Sequence, residues 1–461
     1  MPVSLDNASP QMSGQLELPL GGKGEALMAG RSGEAASASD GTRHLGVCGL
    51  MERVVDAANL RAALKRVRRN KGSPGVDGMT VDGLVEHLKV AWPDLREQLL
   101  TGSYQPQPVK RQLIPKGGGG QRELGIPTVV DRFIQQAILQ VLQPMFDPGF
   151  SEHSYGFRPG RSAHGAIQCA RRLIGEGRTV VVDVDLSKFF DRVNHDVLMG
   201  RLAKRIGDRR LLKLIRRYLG AGVMVQGVVQ QRYMGTPQGG PLSPLLANIL
   251  LDEVDKELEH RGHAFVRYAD DLNVYVRSKR AGDRVMGLLR RLFGMLHLVI
   301  NEEKSAVASV FTRQFLGFAF WRNRDGVKLR IAPKALKTMK ERIRTLTRRN
   351  RGRSLKQIAD DLRTYLVGWK GYFRLADTPK VFRTLDEWLR HRLRAIQLKQ
   401  WKRGRTIFRE LCRRGLSVDS AARVAGNARS WWRNSRMLIN VALPIRFFDE
   451  LGVPRLATTS T

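Results

Sequence analysis

Two adjacent aspartates, Asp270 and Asp271, stand between two runs of apolar, β-branched and aromatic residues at 264–268 and 272–276. The two runs predict an antiparallel hairpin with both carboxylates at its tip. Adjacent acids repel each other and aspartate is a poor strand former, so the pair is costly unless a cation offsets its charge. A divalent metal ion is the cation that this pattern suggests. A solvated turn is the alternative that the pair alone leaves open.

A third candidate acid, Asp185, ends a short apolar segment at 179–185 that reads as a buried strand. Because side chains alternate along a strand, Asp183 and Asp185 share one face, and Asp185 lies at the end that a ligand can reach. Three carboxylates converging from a strand end and a hairpin tip suit Mg²⁺, which prefers oxygen ligands and binds substrate phosphates. Two such ions about 4 Å apart promote in-line phosphoryl displacement.

The segment that follows predicts an amphipathic helix over 186–198. Asp191 and Asp196 are expected on the surface of this helix or at a local cap. Phe189 and Phe190 are adjacent on its first turns, and the sequence does not decide which of the two is a core residue.

Several blocks in this chain resemble, in order, those of the reverse transcriptases encoded within bacterial group II introns, also called intron maturases. They are 70–79 (NKGSPGVDGM), 124–128 (LGIPT), 154–164 (SYGFRPGRSAH), 185–191 (DLSKFFD), 237–244 (PQGGPLSP), 268–271 (YADD), 300–305 (INEEKS) and 315–318 (FLGF). The resemblance implies that Asp185, Asp270 and Asp271 bind two Mg²⁺ ions, with Mn²⁺ as a substitute. The backbone of Leu186 is expected to add an oxygen ligand.

The resemblance also implies an α+β right-hand polymerase, in which fingers and a palm with an antiparallel sheet are followed by an α-helical thumb and maturase domain. We expect a disordered leader at 1–45, fingers and palm at 46–330, the helical domain at 331–416 and a basic C-terminal extension at 417–461.

Four residues are expected to contact the incoming nucleotide. Lys116 and Arg122 flank a glycine run between two extended segments, 109–115 and 123–127, where cations can reach a triphosphate; a plain hairpin turn is the alternative. Phe190 resembles the bulky residue that crowds a ribose 2′-hydroxyl in the family. Gln238 lies in a loop rich in Gly and Pro beside the nucleotide and template, with simple turn chemistry as the alternative.

Arg158 and Arg161 lie in a loop of similar composition. Each is expected to hold either a template phosphate or a structural carboxylate, and the sequence does not choose between the two.

The chain has 79 Lys and Arg against 43 Asp and Glu, a net charge of +36. Residues 331–461 hold 31 basic and 10 acidic residues, a difference of +21, so more than half of the excess follows the polymerase blocks. Such a surface binds polyanions and weakens with salt. Apolar spacing predicts helices at 334–349, 355–373 and 379–401. The phosphate contacts expected there are Lys399, Lys402, Arg403 and Arg405.

Tyr365, Trp369 and Tyr372 fall on one face of the second of these helices. Core packing is the role expected of this stripe, and stacking on bases is the alternative.

The three cysteines, Cys48, Cys169 and Cys412, are too scattered for a zinc site, which predicts no endonuclease with paired Cys-x-x-Cys motifs. They favour a reducing compartment. No apolar run is long enough to span a membrane, and the start of the chain does not read as a signal peptide. We expect a cytoplasmic, nucleoid-associated protein.

The predicted function is RNA-directed DNA synthesis, with intron RNA, a DNA target or primer, and dNTPs as partners. Two alternatives remain: a splicing maturase that acts mainly without chemistry, or a reverse transcriptase of the retron, diversifying or defence type. The oligomeric state is unknown.

Overall fold

The computed structural model describes residues 49–115, 121–225, 228–230, 233–236, 239–349, 352–436 and 438–457. The predicted leader at 1–45 lies outside the described residues. The strands are β1 (Val109–Pro115), β2 (Gln121–Ile126), β3 (Val180–Val184), β4 (Val223–Val225), β5 (Val228–Gln230), β6 (Ala264–Tyr268), β7 (Asp271–Val276), β8 (Ala306–Ser309), β9 (Gln314–Phe315), β10 (Phe318–Asn323) and β11 (Gly326–Ile331).

The α-helices are α1 (Leu50–Val54), α2 (Ala57–Asn70), α3 (Leu84–Thr101), α4 (Val129–Phe146), α5 (Ala163–Gly175), α6 (Phe189–Arg192), α7 (His195–Ala203), α8 (Arg209–Gly220), α9 (Ser243–His260), α10 (Lys279–Met295), α11 (Pro333–Leu346), α12 (Leu355–Phe373), α13 (Pro379–Gln400), α14 (Gly404–Arg413), α15 (Val418–Gly426), α16 (Trp431–Asn434) and α17 (Ile445–Glu450). Short 3₁₀ helices lie at Asp147–Gly149 and Leu438–Asn440.

The chain divides into two compact units. Unit one comprises Met1–Phe150, Ser187–Glu253 and Phe293–Val299, and unit two comprises Ser151–Leu186, Val254–Leu292 and Ile300–Thr461.

Unit one contains a four-stranded sheet in the order β2-β1-β4-β5. Its helix α4 begins at Thr128, whose hydroxyl accepts a hydrogen bond from the Asp131 backbone N–H. The Asp131 carboxylate is 1% exposed and accepts hydrogen bonds from the Thr128 and Tyr104 hydroxyls. Burial therefore raises the pKa of Asp131, although these donors oppose that effect.

Unit two contains a four-stranded sheet in the order β6-β7-β3-β8, and every neighbouring pair in it is antiparallel. We call it the palm sheet. It confirms the antiparallel sheet of the predicted α+β fold, and β3 and the β6–β7 hairpin lie where the apolar runs placed them. Val181, Val182 and Val184 of β3 are buried, which explains why this strand is apolar on both faces.

The prediction of one continuous helix at 186–198 is wrong. The segment forms two helices, α6 and α7, which are separated at Val193 and Asn194. The Asn194 side chain accepts hydrogen bonds from the backbone N–H groups of Asp196 and Val197, so it starts a new helix. The Asp196 side chain is exposed and pairs with Arg216, as expected of a helix-surface acid.

A second sheet of unit two has the order β11-β10-β9. Leu316 and Gly317 join β9 to β10 with φ angles of 48° and 77°. A two-residue hairpin with positive φ at both positions favours glycine, which the FLGF block supplies at one of them.

The three predicted C-terminal helices are present as α11, α12 and α13. Pro333 opens α11, and Ser354 with Gln357 forms a capping box at the start of α12. Trp369 is 9% exposed and belongs to the apolar core of unit two, and the Tyr372 hydroxyl donates to the Leu316 carbonyl. Core packing is thus confirmed as a role of the aromatic stripe on α12.

None of the helices among the described residues is long and apolar enough to cross a membrane.

Phe318→Ala should lower the free energy of unfolding by about 3–5 kcal/mol. The side chain is fully buried and contacts the rings of Tyr372 and Phe373 with centroid distances of 5.8 and 5.1 Å, so truncation leaves a cavity. Urea unfolding measures the change. Val367→Ala, at an exposed position of α12, is the matched control, and equal effects of the two substitutions would contradict the prediction.

Candidate active site

The register of the palm sheet brings the candidate acids together. Strands β3 and β7 are antiparallel, with Asp183 opposite Asn273 and Val184 opposite Leu272. One residue further along the same register, Asp185 comes opposite Asp271. Both of these side chains line the same cleft, so the structure places an acid after β3 beside an acid at the start of β7.

The hairpin tip is tighter than the sequence indicated. Tyr268 pairs with Asp271, so the loop contains only Ala269 and Asp270, and Asp271 is the first residue of β7 rather than a turn residue. Ala269 has φ of 57°, a conformation that is uncommon for a residue with a side chain. The turn therefore needs contacts that hold it in place.

The pKa of one of these acids, Asp271, is raised, and repulsion from the other acids contributes to the increase. Burial raises the pKa of Asp271 to about 7, and the nearby charges of Asp270, Asp185 and Asp183 add to that increase. Among the described residues, no group of three or more His, Cys, Asp or Glu side chains stands ready-made as a metal site. The donor set is nonetheless made of carboxylate oxygens whose repulsion a hard divalent cation would relieve, so these residues fit such an ion.

The segment 300–305 braces Asp185. The Asp185 carbonyl accepts from the Asn301 N–H at 2.8 Å, and its N–H donates to the Ser305 hydroxyl at 3.0 Å. Lys304 Nζ lies 3.3 Å from Asp185 Oδ2. Leu186 forms an isolated bridge with Ile300. The INEEKS block is one of the family-like motifs of this chain, but its sequence alone predicts no role for Asn301, Lys304 or Ser305.

A different cation neutralises Asp183. Arg313 Nε donates to Asp183 Oδ2 at 2.8 Å, and the Arg313 guanidinium also donates to the Lys304 carbonyl. The Asn273 amide, oriented with its nitrogen toward this acid, donates to Asp183 Oδ1 at 2.9 Å. Asp183 shares a strand face with Asp185 but is bound to its own partners. No sequence motif pointed to Arg313.

A cleft of about 1050 Å³ in unit two opens from the acids. Asp183, Asp185 and Asp271 line it together with basic and aromatic side chains from the second sheet and the helices α11 and α12: Arg330, Lys334, Tyr365, Trp369 and Phe373. The carboxylates in the cleft wall can hold a metal ion, and the cations and aromatic rings in the same wall can contact a polyanion. This lining suits a polyanion whose reacting end is held at a metal site.

Of the four predicted nucleotide contacts, Arg122 and Phe190 belong to unit one. Lys116 and Gln238 lie outside the described residues. Arg122 is in β2, opposite Ile114 of β1. Phe189 is 3% exposed, whereas Phe190 is only partly buried, so Phe189 is the core residue of the pair. The Phe190 carbonyl accepts from the Thr236 N–H at 2.7 Å.

The two arginines of the SYGFRPGR loop differ. Arg158 is 8% exposed and donates to the carbonyls of Ser151 and Ser154, so it braces the loop. Arg161 pairs with Glu152 and lies over the Tyr155 ring. Their contacts with template phosphate stay predictions.

The predicted phosphate contacts of the helical region lie at the end of α13 and the start of α14. Lys399 donates to the Arg349 carbonyl and lies 5.3 Å from the Trp431 ring centroid, whereas Lys402, Arg403 and Arg405 are exposed. Three of the four side chains are therefore accessible to a nucleic acid.

Two family models match this chain. Residues 114–320 match "Reverse transcriptase (RNA-dependent DNA polymerase)", and residues 336–415 match "Group II intron, maturase-specific domain". The first covers the acids, and the second covers most of α11–α14.

Curated relatives agree with these matches. The chain is 35% identical to Protein YkfC of Escherichia coli (strain K12), over 54% of this chain and 77% of that protein. It is 40% identical to the Group II intron-encoded protein LtrA of Lactococcus lactis subsp. cremoris, over 42% of this chain and 32% of that protein. The chain thus spans about a third of the length of LtrA.

Among solved structures, the chain is similar to one titled "Partial Cas6-RT-Cas1--Cas2 complex". The TM-score is 0.35 at 25% sequence identity, over 53% of this chain and 42% of that chain. That score is too low to support a statement about the fold.

Arg313→Met should lower the free energy of unfolding by about 1–3 kcal/mol, because it leaves the half-buried Asp183 carboxylate without its cation. Adding Asp183→Asn should restore much of that loss, since the uncompensated charge is then gone. Urea unfolding of the single and double variants measures both effects. Arg290→Met is the control, because its pair with Glu302 is exposed and contributes about 0–1 kcal/mol. A double variant no more stable than Arg313→Met would contradict the pairing.

Proposed function

This chain belongs to the family of group II intron-encoded reverse transcriptases and maturases, and we propose that its RNA-directed DNA polymerase reaction takes place at Asp185, Asp270 and Asp271. The observation that carries this proposal is the β3–β7 register, which, continued by one residue, sets Asp185 opposite Asp271, and both acids line a cleft with basic and aromatic walls. In the reaction, the 3′-hydroxyl of a DNA primer attacks the α-phosphate of a dNTP. A new phosphodiester bond forms, and pyrophosphate leaves.

Reverse transcriptases generally use divalent metal ions. We propose that the three aspartates, with the backbone oxygen of Leu186, hold two Mg²⁺ ions, for which Mn²⁺ can substitute. Bound there, the ions would supply activation of the attacking hydroxyl and stabilisation of the leaving oxygen. The chain itself supplies the fixed carboxylate oxygens, and Asn301 and Ser305 hold the Asp185 backbone.

The nucleotide is proposed to lie against Lys116, Arg122, Phe190 and Gln238. The cations would bind its triphosphate, and Phe190 would crowd a ribose 2′-hydroxyl. The partial exposure of Phe190 beside the buried Phe189 supports this division of roles.

The maturase-specific domain implies that the chain binds intron RNA. We propose that Lys399, Lys402, Arg403 and Arg405 contact that RNA and that Arg158 and Arg161 lie along the template path. The same match favours an intron-encoded protein over a reverse transcriptase of the retron or defence type. Non-enzymatic assistance to splicing is compatible with polymerase activity, since the proposed RNA contacts and the proposed metal ligands are different residues.

The proposed domain division stays that of the sequence: fingers and palm at 46–330, a thumb and maturase domain at 331–416, and a basic extension at 417–461. A DNA target or primer and dNTPs are the further proposed partners.

Asp270→Asn and Asp271→Asn should each lower the rate of primer extension on an RNA template by about 10²–10³-fold, because each removes a carboxylate that holds the metal ions. The measurement is single-turnover extension of a DNA primer with Mg²⁺, on protein shown to be folded by circular dichroism. Asp191→Asn, at an exposed position of α6, is the control and should retain wild-type activity. Full activity in the Asp270 and Asp271 variants would overturn the assignment of these acids.

Replacing Lys402, Arg403 and Arg405 together by Gln should weaken binding of intron RNA and reduce the slope of log K against log salt by up to about 3. Extension on a short RNA template lacking intron sequence should change little, and Asp270→Asn should keep its RNA affinity. The matched control replaces Lys279, Arg280 and Arg284, exposed cations of α10, by Gln. Equal loss of binding in the two triple variants would show a general charge effect instead.

A further inference from the structure

A buried ion pair lies directly behind the hairpin that carries Asp270 and Asp271. Arg267 of β6 is 1% exposed and Asp255 of α9 is 0% exposed. Arg267 Nε donates to Asp255 Oδ1 at 2.8 Å, and Nη2 of the same guanidinium donates to Oδ2. This two-point geometry fixes the plane of the guanidinium.

The acceptors of the guanidinium also include a carbonyl in the turn and a hydroxyl in the loop before α5. Nη1 donates to the Ala269 carbonyl at 3.0 Å, and Nη2 donates to the Ser154 hydroxyl at 2.8 Å. Ala269 is the turn residue with positive φ, and its carbonyl carbon is bonded to the nitrogen of Asp270. The side chain of Arg267 therefore ties the strained turn to a long helix and to the loop before α5.

That loop also holds the hairpin through its backbone. The Arg267 N–H donates to the His153 carbonyl and the Tyr155 N–H donates to the Arg267 carbonyl, both at 2.9 Å. These bonds cover the outer edge of β6. A Cβ on Gly156 would lie 2.2 Å from the Ala269 nitrogen, so only glycine allows the loop to approach the turn this closely. The SYGFRPGR block thus has a structural role, which is to hold the hairpin and its turn. The proposed reaction assigns no such role to the block.

We infer that Arg267 is a positioning residue for the polymerase carboxylates: its buried guanidinium, oriented by Asp255, holds the Ala269 carbonyl and so sets where Asp270 and Asp271 present their oxygens. This inference rests on the proposed function, since it takes these two acids as metal ligands. Arg267 touches neither substrate nor metal ion, and it acts through the turn.

The chemistry of the pair distinguishes positioning from simple stabilisation. A buried ion pair stabilises a fold no more than apolar side chains of similar volume, because desolvation offsets the attraction. Apolar replacements can fill the space between β6 and α9, but they cannot donate to the Ala269 carbonyl. Lysine keeps the charge but lacks the planar fork, so it cannot reach Asp255, Ser154 and Ala269 together.

The test compares Arg267→Lys and the double variant Arg267→Met/Asp255→Leu with wild type. Mn²⁺ binding to the full chain is titrated by electron paramagnetic resonance, and primer extension gives kcat and the KM for dNTP. Both variants should bind Mn²⁺ about 10–100-fold more weakly and lose kcat by a similar factor, as expected when a group that orients metal ligands is removed. The KM for dNTP and the affinity for intron RNA should change little.

Arg390→Met is the matched control. Arg390 is 2% exposed and pairs with the partly buried Asp386 and Asp449 in the helical part of unit two, so its loss also removes a buried guanidinium from its acids, although Asp449 keeps its pair with Arg455. It should lower the thermal midpoint while Mn²⁺ affinity and kcat per folded molecule stay at wild-type values.

The result that would overturn the inference is a folded Arg267→Lys or double variant with wild-type Mn²⁺ affinity and kcat. The same holds if Arg390→Met loses Mn²⁺ affinity as much as the Arg267 variants do, because the effect is then general destabilisation. If folded wild type itself binds no Mn²⁺ and extends no primer, the proposed function fails and this inference with it. That outcome is distinguishable, because it appears before any variant is compared.

Discussion

Repulsion among carboxylates on one face of the palm sheet is the constraint on which the site depends. Strand alternation puts Asp183 and Asp185 on the same side of β3, and the antiparallel register adds Asp271 from β7. Burial raises the pKa of Asp271, and the charges of the neighbouring acids add to that increase. A sheet with this pattern is stable only where cations lie beside the acids. The basic side chains around the sheet therefore determine how its acids are accommodated.

Separate cations meet Asp183 and Asp185, and a third cation pairs with an acid of α9 behind the hairpin. Arg313 and Asn273 engage Asp183, Lys304 lies beside Asp185, and Arg267 takes Asp255 on the far side of the hairpin. The fully buried pair is bidentate, whereas the Lys304 contact is exposed and single. The most buried pair therefore lies behind the hairpin, whereas Asp183 and Asp185 with their cations line the cleft.

The positive charge of the chain serves a different purpose from these pairs. The excess of +21 in residues 331–461 lies on helices whose apolar faces form the core of unit two. Exposed cations such as Lys402, Arg403 and Arg405 remain on the outside of that core. The proposed RNA-binding surface and the proposed polymerase cleft can therefore coexist in one chain, because the first uses exposed surface cations and the second uses a few oriented acids.

The amino-acid sequence by itself determined β3, the β6–β7 hairpin, the extended segments of β1 and β2, the helices α11–α13 and the α+β class, and it marked the candidate acids, because apolar periodicity and ordered motifs are local properties. It did not determine where the helix after β3 breaks, since Val193 and Asn194 at the break are held by Gly235 and Met234 from a distant part of the chain. It gave no sign of Arg313 or of Arg267 with Asp255, whose partners are 130 and 12 residues away. Only the tertiary structure decided those pairs, because hydrogen bonds to a buried acid are set by which elements pack together and not by spacing along the chain.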